Sequence, residues 1–140
     1  MVVPLVLLQR EDVTPHVESL LEPAHGSIER AREAADAYRA GRWTLYGWID
    51  DAELIGCIGF ESRPKAAVIR SLVVAERHRL SGAGRKMVDA ALAEIDAPWV
   101  EAETDSEAAG FYRSLGFRTT TLGEKYPGVE RFRCIRASSR

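Results

Sequence analysis

The feature that most constrains the fold of this chain is an apolar run that leads through a glycine-containing turn into a strongly amphipathic segment. Leu72–Val74 is apolar, and the turn Arg79–Arg85 has the sequence RLSGAGR. From residue 84 to residue 95 the apolar side chains share one helical face, which comprises Met87, Val88, Ala91, Leu92 and Ile95. A strand that passes into an amphipathic helix buries that face against a sheet. The segment therefore predicts a layered fold of mixed α/β class.

The turn itself has the chemistry of a phosphate-binding site. The first amides of a helix have no partner within the helix, and the helix dipole adds partial positive charge there. Gly82 and Gly84 lack the Cβ atoms that would keep a phosphate from the backbone, and Arg79 and Arg85 add full positive charges. We expect a bound diphosphate, and the alternative is a tight turn without a ligand.

The glycine spacing differs from that of two nucleotide-binding motifs. The dinucleotide fingerprint needs a third glycine or alanine where Met87 stands. The nucleoside-triphosphate loop needs a Lys-Ser or Lys-Thr pair in register, whereas Arg85 and Lys86 follow Gly84. The formal net charge of −2 gives no basic excess for binding a nucleic-acid backbone. A nucleotide or nucleic-acid binder is therefore disfavoured.

Apolar periodicity divides the rest of the 140 residues into further elements. Strands are predicted at Val3–Leu8, Trp43–Ile49, Leu54–Phe60, Val68–Val74, Trp99–Glu103, Phe117–Leu122 and Val129–Ile135. Besides the helix after the glycine turn, helices are predicted at His16–Leu21, from Ser27 to Gly41 and from Thr104 to Gly116. We expect one domain, residues 1–140, whose mixed, mostly antiparallel central sheet of six to seven strands is flanked by four helices.

Capping and turn residues predict where these elements end. Thr14 is expected to cap the first helix and Pro23 to end it. Thr104 forms a capping-box pattern with Glu107 at the start of the last helix. The loop Gly123–Gly128 is expected to join the last two strands. Ser27 is expected to cap the second helix, whose buried face is Ile28, Ala31, Ala35 and Tyr38.

The composition favours a soluble protein of the cytoplasm. No run approaches the roughly 18 apolar residues that a membrane-spanning helix needs, and Met1–Leu8 has no basic segment before it, as an export signal would. Cys57 and Cys134 lie in apolar, strand-like runs and are expected to be buried, reduced thiols. The histidines show no metal-ligand spacing, so no metal is expected, and surface or capping roles are expected for His16, His25 and His78.

Val73-Val74 followed by Arg79-x-x-Gly82-x-Gly84 resembles the acetyl-CoA signature of the GNAT superfamily of acetyltransferases. A second segment, Asp105–Phe117, resembles the later motif of the same family through its Phe-Tyr pair and its Leu-Gly-Phe ending. The resemblance covers about residues 66–118. The stretch Leu122–Phe132 is similar to the tail of a bacterial subgroup of the family. The resemblance implies the GNAT fold and acetyl-CoA as the co-substrate.

In that fold, acetyl-CoA is expected where the strand ending at Val74 splays apart from the strand Trp99–Thr104. The resemblance implies that the pantetheine arm pairs with the backbone of Leu72, Val73 and Val74, and that the Val73 amide polarises the thioester carbonyl. It implies that the diphosphate binds the turn formed by Arg79, Leu80, Ser81, Gly82, Ala83, Gly84 and Arg85. Asp105 and Phe111 are the remaining implied contacts to the cofactor.

The resemblance also implies that Tyr112 acts as general acid toward the departing thiolate. The alternative is that Tyr112 is only a core residue on the helix face that it shares with Ala108, Phe111 and Leu115. The segment Val68-Ile69-Arg70-Ser71 lacks the glutamate that serves many family members as general base. Glu61 and Glu103 are alternative bases that would act through water.

Two further positions depart from the family pattern. Leu80 stands where glycine is common, which restricts the approach of one amide to the diphosphate. Asp105 replaces the usual asparagine, and its carboxylate can cap a helix but repels a nearby phosphate. Acetylation of Cys57 or Cys134 as a first step is disfavoured, because neither residue has a sequence signal for a lowered pKa.

The sequence therefore predicts an N-acetyltransferase that transfers acetyl from acetyl-CoA to a primary amine by direct attack in a ternary complex. The alternative is a non-catalytic acyl-CoA-binding module. Acceptor contacts are expected from Glu22–Ser27 and Gly123–Glu130, where Glu124 and Glu130 would attract a cationic amine, and Lys125 and Arg131 a carboxylate. Neither nucleic acid nor a membrane is an expected partner. The alanine-rich second helix and the final hairpin favour a homodimer.

Overall fold

The computed structural model describes residues 4–138. Its strands are β1 (Leu5–Leu8), β2 (Thr44–Asp50), β3 (Glu53–Ser62), β4 (Ala66–Val74), β5 (Trp99–Asp105), β6 (Arg118–Tyr126) and β7 (Val129–Ala137). Its helices are α1 (Pro15–His25), α2 (Ile28–Arg39), α3 (Ala83–Leu92) and α4 (Ser106–Ser114), with short 3-10 turns at Arg10–Asp12 and Glu76–His78. Val3, which the sequence places in the first strand, lies outside the described residues.

The strands form a seven-stranded sheet in the order β1-β2-β3-β4-β5-β7-β6. The described registers are antiparallel except that of β4 with β5, which is parallel and joins Ala66–Val68 to Trp99–Glu101. This architecture confirms the predicted mixed, mostly antiparallel sheet with four flanking helices.

The chain divides into two compact units, which are described separately. The first comprises residues 1–61 and 70–94, and the second comprises residues 62–69 and 95–140. Strand β4 contributes residues to both units. The expectation of a single domain over residues 1–140 stays a prediction.

In the first unit α1 and α2 pack against each other and against apolar residues of the sheet. Ser27 caps α2 by accepting a hydrogen bond from the Arg30 amide at 3.1 Å, as its sequence predicts. The close approach of α2 to the sheet requires glycine at position 59, because a Cβ there would overlap the Tyr38 hydroxyl. The core of this unit comprises Val13, Val17, Leu21, Ala31, Ala34, Ala35, Tyr38, Leu45, Cys57 and Val73.

In the second unit α4 packs on β5, β6 and β7. The β5–β7 register places Ala102 opposite Cys134, and both residues are buried. Ala109, Tyr112 and Leu115 supply the apolar face of the α4 segment. Cys134 and, in the first unit, Cys57 are free and buried, which confirms the prediction of buried, reduced thiols.

Two predictions about the first helices are wrong. Helix α1 does not end at Pro23 but continues to His25, and Gly26 ends it with a left-handed φ of 80°. A proline in the last turn removes only the hydrogen bond to the Ser19 carbonyl, and the following turn is held by the Gly26 amide, which donates to Glu22 O at 2.9 Å. Ile28 is 62% exposed and does not belong to the buried face of α2, because the first residue of that helix lies beyond its packed surface.

The ends of the later elements also differ from the sequence prediction. Thr104 lies within β5 opposite Phe132, and the residue that caps α4 is Asp105. Most of the predicted loop Gly123–Gly128 belongs to β6, so that only Pro127 and Gly128 turn the hairpin. Gly123 does not break the strand, because its φ of 81° accompanies a register shift between β6 and β7. Ile95 is buried, as expected, but follows the end of α3.

Candidate functional site

The turn between β4 and α3 is held in shape by its own backbone and by Ser81. The Ser81 hydroxyl donates to the His78 carbonyl at 2.5 Å and accepts a longer hydrogen bond, 3.4 Å, from the Ala83 amide. Leu80 and Gly82 both have left-handed backbones, with φ values of 65° and 85°. A left-handed φ at residue 80 is the conformation that glycine adopts most easily, which gives a physical reason for glycine at this position in similar turns.

The N-terminus of α3 carries no compensating negative charge. Its N-cap, Gly82, has no side chain that could cap the helix, and its first turn contains no acidic residue. A Cβ added at Gly82 would have no described atom within 4 Å, so the backbone here borders open space. The amides and dipole of this helix can therefore act on an anion from outside the chain.

Cations and the end of β4 adjoin this turn. The Arg79 guanidinium donates from Nε to the Val74 carbonyl at 3.0 Å, which places a positive charge at the end of the strand. Arg85 is an exposed residue in the first turn of α3. Leu72, Val73 and Val74 form the last residues of β4, and Val73 is buried in the core of the first unit. The predicted cofactor residues of the first unit thus follow one another along one strand-turn-helix segment.

Tyr112 is a buried residue of α4. Its side chain is packed edge-to-face between the rings of Phe111 and Phe117, at centroid distances of 5.8 and 5.1 Å. Burial raises the pKa of the Tyr112 phenol, with a smaller contribution from Cys134, so the hydroxyl keeps its proton at neutral pH. Among the described residues the only buried polar side-chain atom without a hydrogen bond is His78 Nε2. The Tyr112 hydroxyl, which has no hydrogen bond to another described residue, therefore retains access to solvent.

Asp105, at the end of β5, and the two candidate bases are engaged within the protein. Asp105 caps α4, because its Oδ1 accepts a hydrogen bond from the Ala108 amide at 2.9 Å. Glu61 is paired with the Arg70 guanidinium, whose Nε lies 2.8 Å from Glu61 Oε1. Glu103 lies 2.9 Å from Lys125 Nζ and 3.9 Å from Arg131 Nη2. Phe111 is half-buried. A carboxylate paired with a cation is a weaker proton acceptor than a free one.

A cluster that the sequence did not predict lies around Ser71 in the first unit. Ser71 is the only buried polar residue in the described part of the chain, and its Oγ is 2.7 Å from both His25 Nε2 and the Tyr38 hydroxyl. The surface or capping role expected for His25 is therefore wrong. The one signal in the sequence was a tyrosine on the buried face of α2, because a buried phenol usually has a hydrogen-bond partner.

The sequence profile described as the acetyltransferase (GNAT) domain matches residues 42–119. The match includes both β4 with its glycine turn and α4, and it spans more than half of the 140 residues. The chain belongs to the GNAT family. A search of curated proteins finds no match.

Solved structures of acetyltransferases share the fold of this chain. The ribosomal-protein-S18-alanine N-acetyltransferase from Escherichia coli superposes with a TM-score of 0.81 at 16% identity, over 97% of this chain and 94% of that one. A GNAT acetyltransferase from Elizabethkingia anophelis with acetyl-CoA bound gives 0.74 at 19% identity, over 96% and 98%. The IAA acetyltransferase from Bacillus cereus gives 0.76 at 21% identity, over 95% and 97%. At these identities the likeness shows the fold.

Membership of the GNAT family makes this chain an acyltransferase whose co-substrate is acetyl-CoA. Within residues 4–138 no helix has the length and apolarity needed to cross a membrane. The same residues contain no group of three or more His, Cys, Asp or Glu side chains that could hold a metal ion. The contacts of individual residues to the cofactor stay predictions.

Proposed function

We propose that this GNAT protein transfers acetyl from acetyl-CoA to a primary amine by direct attack in a ternary complex. The observation that carries the proposal is the β4–α3 turn, where an uncapped helix N-terminus without acidic residues lies beside Arg79 and Arg85. An anion with several oxygens, such as the diphosphate of CoA, suits amides and guanidinium groups together.

The end of β4 would hold the rest of the cofactor. The backbone of Leu72–Val74 would pair with the pantetheine arm as an added strand, and the Val73 amide would donate to the thioester oxygen. The diphosphate would lie on the turn Arg79–Arg85. The amine nitrogen then attacks the carbonyl carbon, the carbon–sulfur bond breaks, and CoA leaves as the thiolate while the amine loses a proton.

Tyr112 would donate a proton or a hydrogen bond to the leaving thiolate. Its raised pKa keeps the phenol protonated, and its hydroxyl keeps access to solvent. Because a free thiol has a pKa of about 8.5, the thiolate gains from such a donor without depending on it. Loss of the hydroxyl in Tyr112→Phe should therefore lower kcat about tenfold at neutral pH, with little change in the Kd of acetyl-CoA.

The cysteines support direct transfer over a route through an acetylated thiol. Burial raises the pKa of the Cys57 thiol to about 12, and burial also raises that of Cys134. Both thiols therefore stay protonated and are poor nucleophiles at neutral pH. The cytoplasmic location and the homodimer expected from the sequence remain predictions.

Calorimetry with acetyl-CoA and with CoA tests the cofactor site. We expect micromolar binding by the wild type and none by Gly82→Trp, whose indole would occupy the space of the diphosphate. Gly128→Trp is the matched control, because Gly128 also has a left-handed φ, 79°, and open space around its Cβ position. Failure of the wild type to bind either ligand would contradict the proposal.

Release of CoA from acetyl-CoA in the presence of a panel of amines tests the reaction. We expect release that depends on one class of amine and that Gly82→Trp abolishes. Binding without release from any amine would contradict acetyl transfer and leave the non-catalytic acyl-CoA-binding module as the function.

A further inference from the structure

The imidazole of His25 bonds a hydroxyl group of β4, and that hydroxyl bonds a second one from α2. Its Nε2 lies 2.7 Å from Ser71 Oγ in β4, and the same oxygen lies 2.7 Å from the Tyr38 hydroxyl in α2. Ser71 is only 2% exposed, and Tyr38 is 6% exposed. Because both hydroxyls are buried, water cannot replace them easily, and the ring has a fixed orientation.

His25 also lines a cavity. A cavity of about 390 Å³ is lined by His25, Arg30, Glu33, Arg42 and Trp43, among others. His25 Nδ1 has no hydrogen bond to a described residue, and it is not among the buried polar atoms that lack a partner. Nδ1 is therefore open to solvent while Nε2 is bound to Ser71.

This arrangement fits a proton acceptor. Ser71 Oγ can either donate or accept; in the tautomer whose Nε2–H donates to Ser71 Oγ, Nδ1 keeps its lone pair and can accept a proton. Burial lowers the pKa of His25 below its usual value, so the ring is neutral at physiological pH. The titratable and charged groups around it are Tyr38, Arg30 and Glu33 from α2, and Arg42 from the segment after α2. Arg70 lies over the ring of Trp43, which also lines the cavity, and is paired with Glu61.

We propose that this cavity admits the acceptor, an amine that also carries a carboxylate, and that His25 is the catalytic residue that takes the proton of the amine. The inference rests on the proposed N-acetyltransferase function. Ser71 directly precedes Leu72–Val74, the segment proposed to hold the pantetheine arm, so the base would lie next to the reacting part of the cofactor. Ser71 and Tyr38 are positioning residues that act through the ring.

The step balances as a proton transfer coupled to acyl transfer. The ammonium proton passes to His25 Nδ1, and the freed lone pair of the amine forms the bond to the acetyl carbon as the carbon–sulfur bond breaks. The proton on Nε2 stays on that nitrogen throughout, and Nε2–H continues to donate to Ser71 Oγ. The imidazolium then returns its proton to solvent through the cavity.

The charges at the cavity select the class of amine. Arg30 and Arg42 form no ion pair with another described residue, and they outnumber the single carboxylate of Glu33. Guanidinium groups bind carboxylates in a two-pronged geometry. An amine with a carboxylate therefore complements the cavity better than the same amine without one.

The decisive experiment measures CoA release between pH 5.5 and 9 with matched amines, L-lysine against cadaverine and L-tryptophan against tryptamine. His25→Gln keeps a group that can bond Ser71 but removes the base, and it should lower kcat/KM about 100- to 1,000-fold and abolish the loss of activity at acid pH. His16→Gln is the control, because His16 is an exposed histidine of the same helix. The Kd of acetyl-CoA should be unchanged in both variants, which also verifies that they fold.

The pH profile separates a positioning role from a structural one. The wild type should lose activity as pH falls through the pKa of His25. In Ser71→Ala the imidazolium loses a hydrogen-bond acceptor, so this loss should move to lower pH. A merely structural role of Ser71 would lower the rate at every pH by the same factor. Tyr38→Phe should also move the loss of activity to lower pH, but by a smaller amount, because the Tyr38 hydroxyl reaches His25 only through Ser71.

The contribution of the cavity arginines to binding of the acceptor is measured as a change in the KM of the amine. Arg42→Gln should raise the KM of the carboxylate-bearing member of a pair about tenfold and leave the KM of the other member unchanged. Arg32→Gln, on the same side of the sheet but outside this cavity, should change neither. Equal use of both members of each pair, with no effect of Arg42→Gln, would overturn the assignment of the amine class.

Failure of the inference and failure of the proposed function give different results. If amines are acetylated and His25→Gln stays within about twofold of His16→Gln with an unchanged pH profile, His25 is not the base. If acetyl-CoA binds and no amine in the panel is acetylated, the proposed transfer itself fails, and the role of His25 fails with it.

Discussion

Two of the connections that lead from a strand into a helix, β4 to α3 and β5 to α4, differ in how the chain treats the helix N-terminus. At α3 the N-cap is Gly82, no side chain caps the helix, and the first turn has no acidic residue. At α4 the Asp105 carboxylate accepts a hydrogen bond from the Ala108 amide at 2.9 Å, and Glu107 adds a second negative charge in the first turn.

A helix N-terminus attracts an external anion most strongly where the chain has not already neutralised it. Both helices have the same dipole and the same orphan amides. In α4 the chain supplies the anion itself, which stabilises the helix and removes the attraction for a phosphate. In α3 that stabilisation is absent, and Arg79 and Arg85 add to the positive potential. This contrast supports the proposal that the diphosphate binds at α3.

The largest expected effect comes from giving α3 the carboxylate that α4 has. Gly82→Asp should raise the Kd of acetyl-CoA at least about 100-fold, because unit charges 4 Å apart near a protein surface repel by about 4 kcal/mol. Aspartate tolerates the left-handed backbone at this position better than most residues do. Calorimetry with acetyl-CoA measures the change.

Gly82→Asn is the matched control for that variant, because asparagine has the same shape without the charge. It should weaken binding less than tenfold. An equal loss in both variants would show that the shape of the turn, and not its charge, decides binding.

The next largest effect is expected from removing the cap of α4. Asp105→Ala should lower the free energy of unfolding by about 1 kcal/mol, whereas Asp105→Asn should change it little, since both residues cap helices well. Urea unfolding measures both. If Asp105 is fully engaged as a cap, the Kd of acetyl-CoA stays the same in Asp105→Ala. A tenfold rise would instead support the cofactor contact that the GNAT resemblance implies for Asp105.

A smaller effect is expected at Leu80, whose backbone is strained, in the turn between β4 and α3. Leu80 has a left-handed φ of 65° and a fully exposed side chain, so Leu80→Gly should raise the free energy of unfolding by about 0.5–1 kcal/mol. Leu80→Ala keeps the backbone strain and should leave stability unchanged. If alanine stabilised the protein as much as glycine, the exposed leucine side chain and not the backbone would be the source of the cost.

The smallest effect is expected at Glu107. Glu107→Gln removes the second negative charge from the first turn of α4 and should lower the free energy of unfolding by about 0.3–0.5 kcal/mol. The difference should shrink as salt screens the charge, which thermal unfolding at low and high ionic strength measures. A salt-independent difference would point to a lost hydrogen bond and not to the helix dipole.

Local patterns in the sequence predicted much of the fold. The face of α3, the Ser27 cap and the seven strands were read from spacings of two to four residues, which depend on backbone geometry alone. The errors lie where two local signals compete. Pro23 was taken to end α1, although a proline in the last turn costs only one hydrogen bond. Thr104 matched a capping box, but the pairing of β5 with β7 extends through residue 105 and leaves Asp105 as the cap.

In the candidate site too, the residues of one local segment were predictable from the sequence, whereas contacts between distant segments were not. The cofactor turn was predicted because every residue in it lies within one segment of β4 and α3, where glycine spacing and charge are visible in order. Glu61 and Glu103 were chosen as bases without knowledge of their partners, and the structure pairs them with Arg70 and Lys125. The surface or capping role predicted for His25 is wrong because its partners in the fold, Ser71 and Tyr38, are distant in the chain.

The sequence by itself determined the GNAT family, the order of the elements and the turn that is proposed to hold the diphosphate, since each depends on neighbouring residues. Only the tertiary structure decided which polar side chains meet. Ser71 is 46 residues from His25 and 33 from Tyr38, and their hydrogen bonds exist because α1 and α2 pack on the sheet beside β4. Contacts over such separations depend on how helices pack and how strands pair, and no local pattern of residues encodes that geometry.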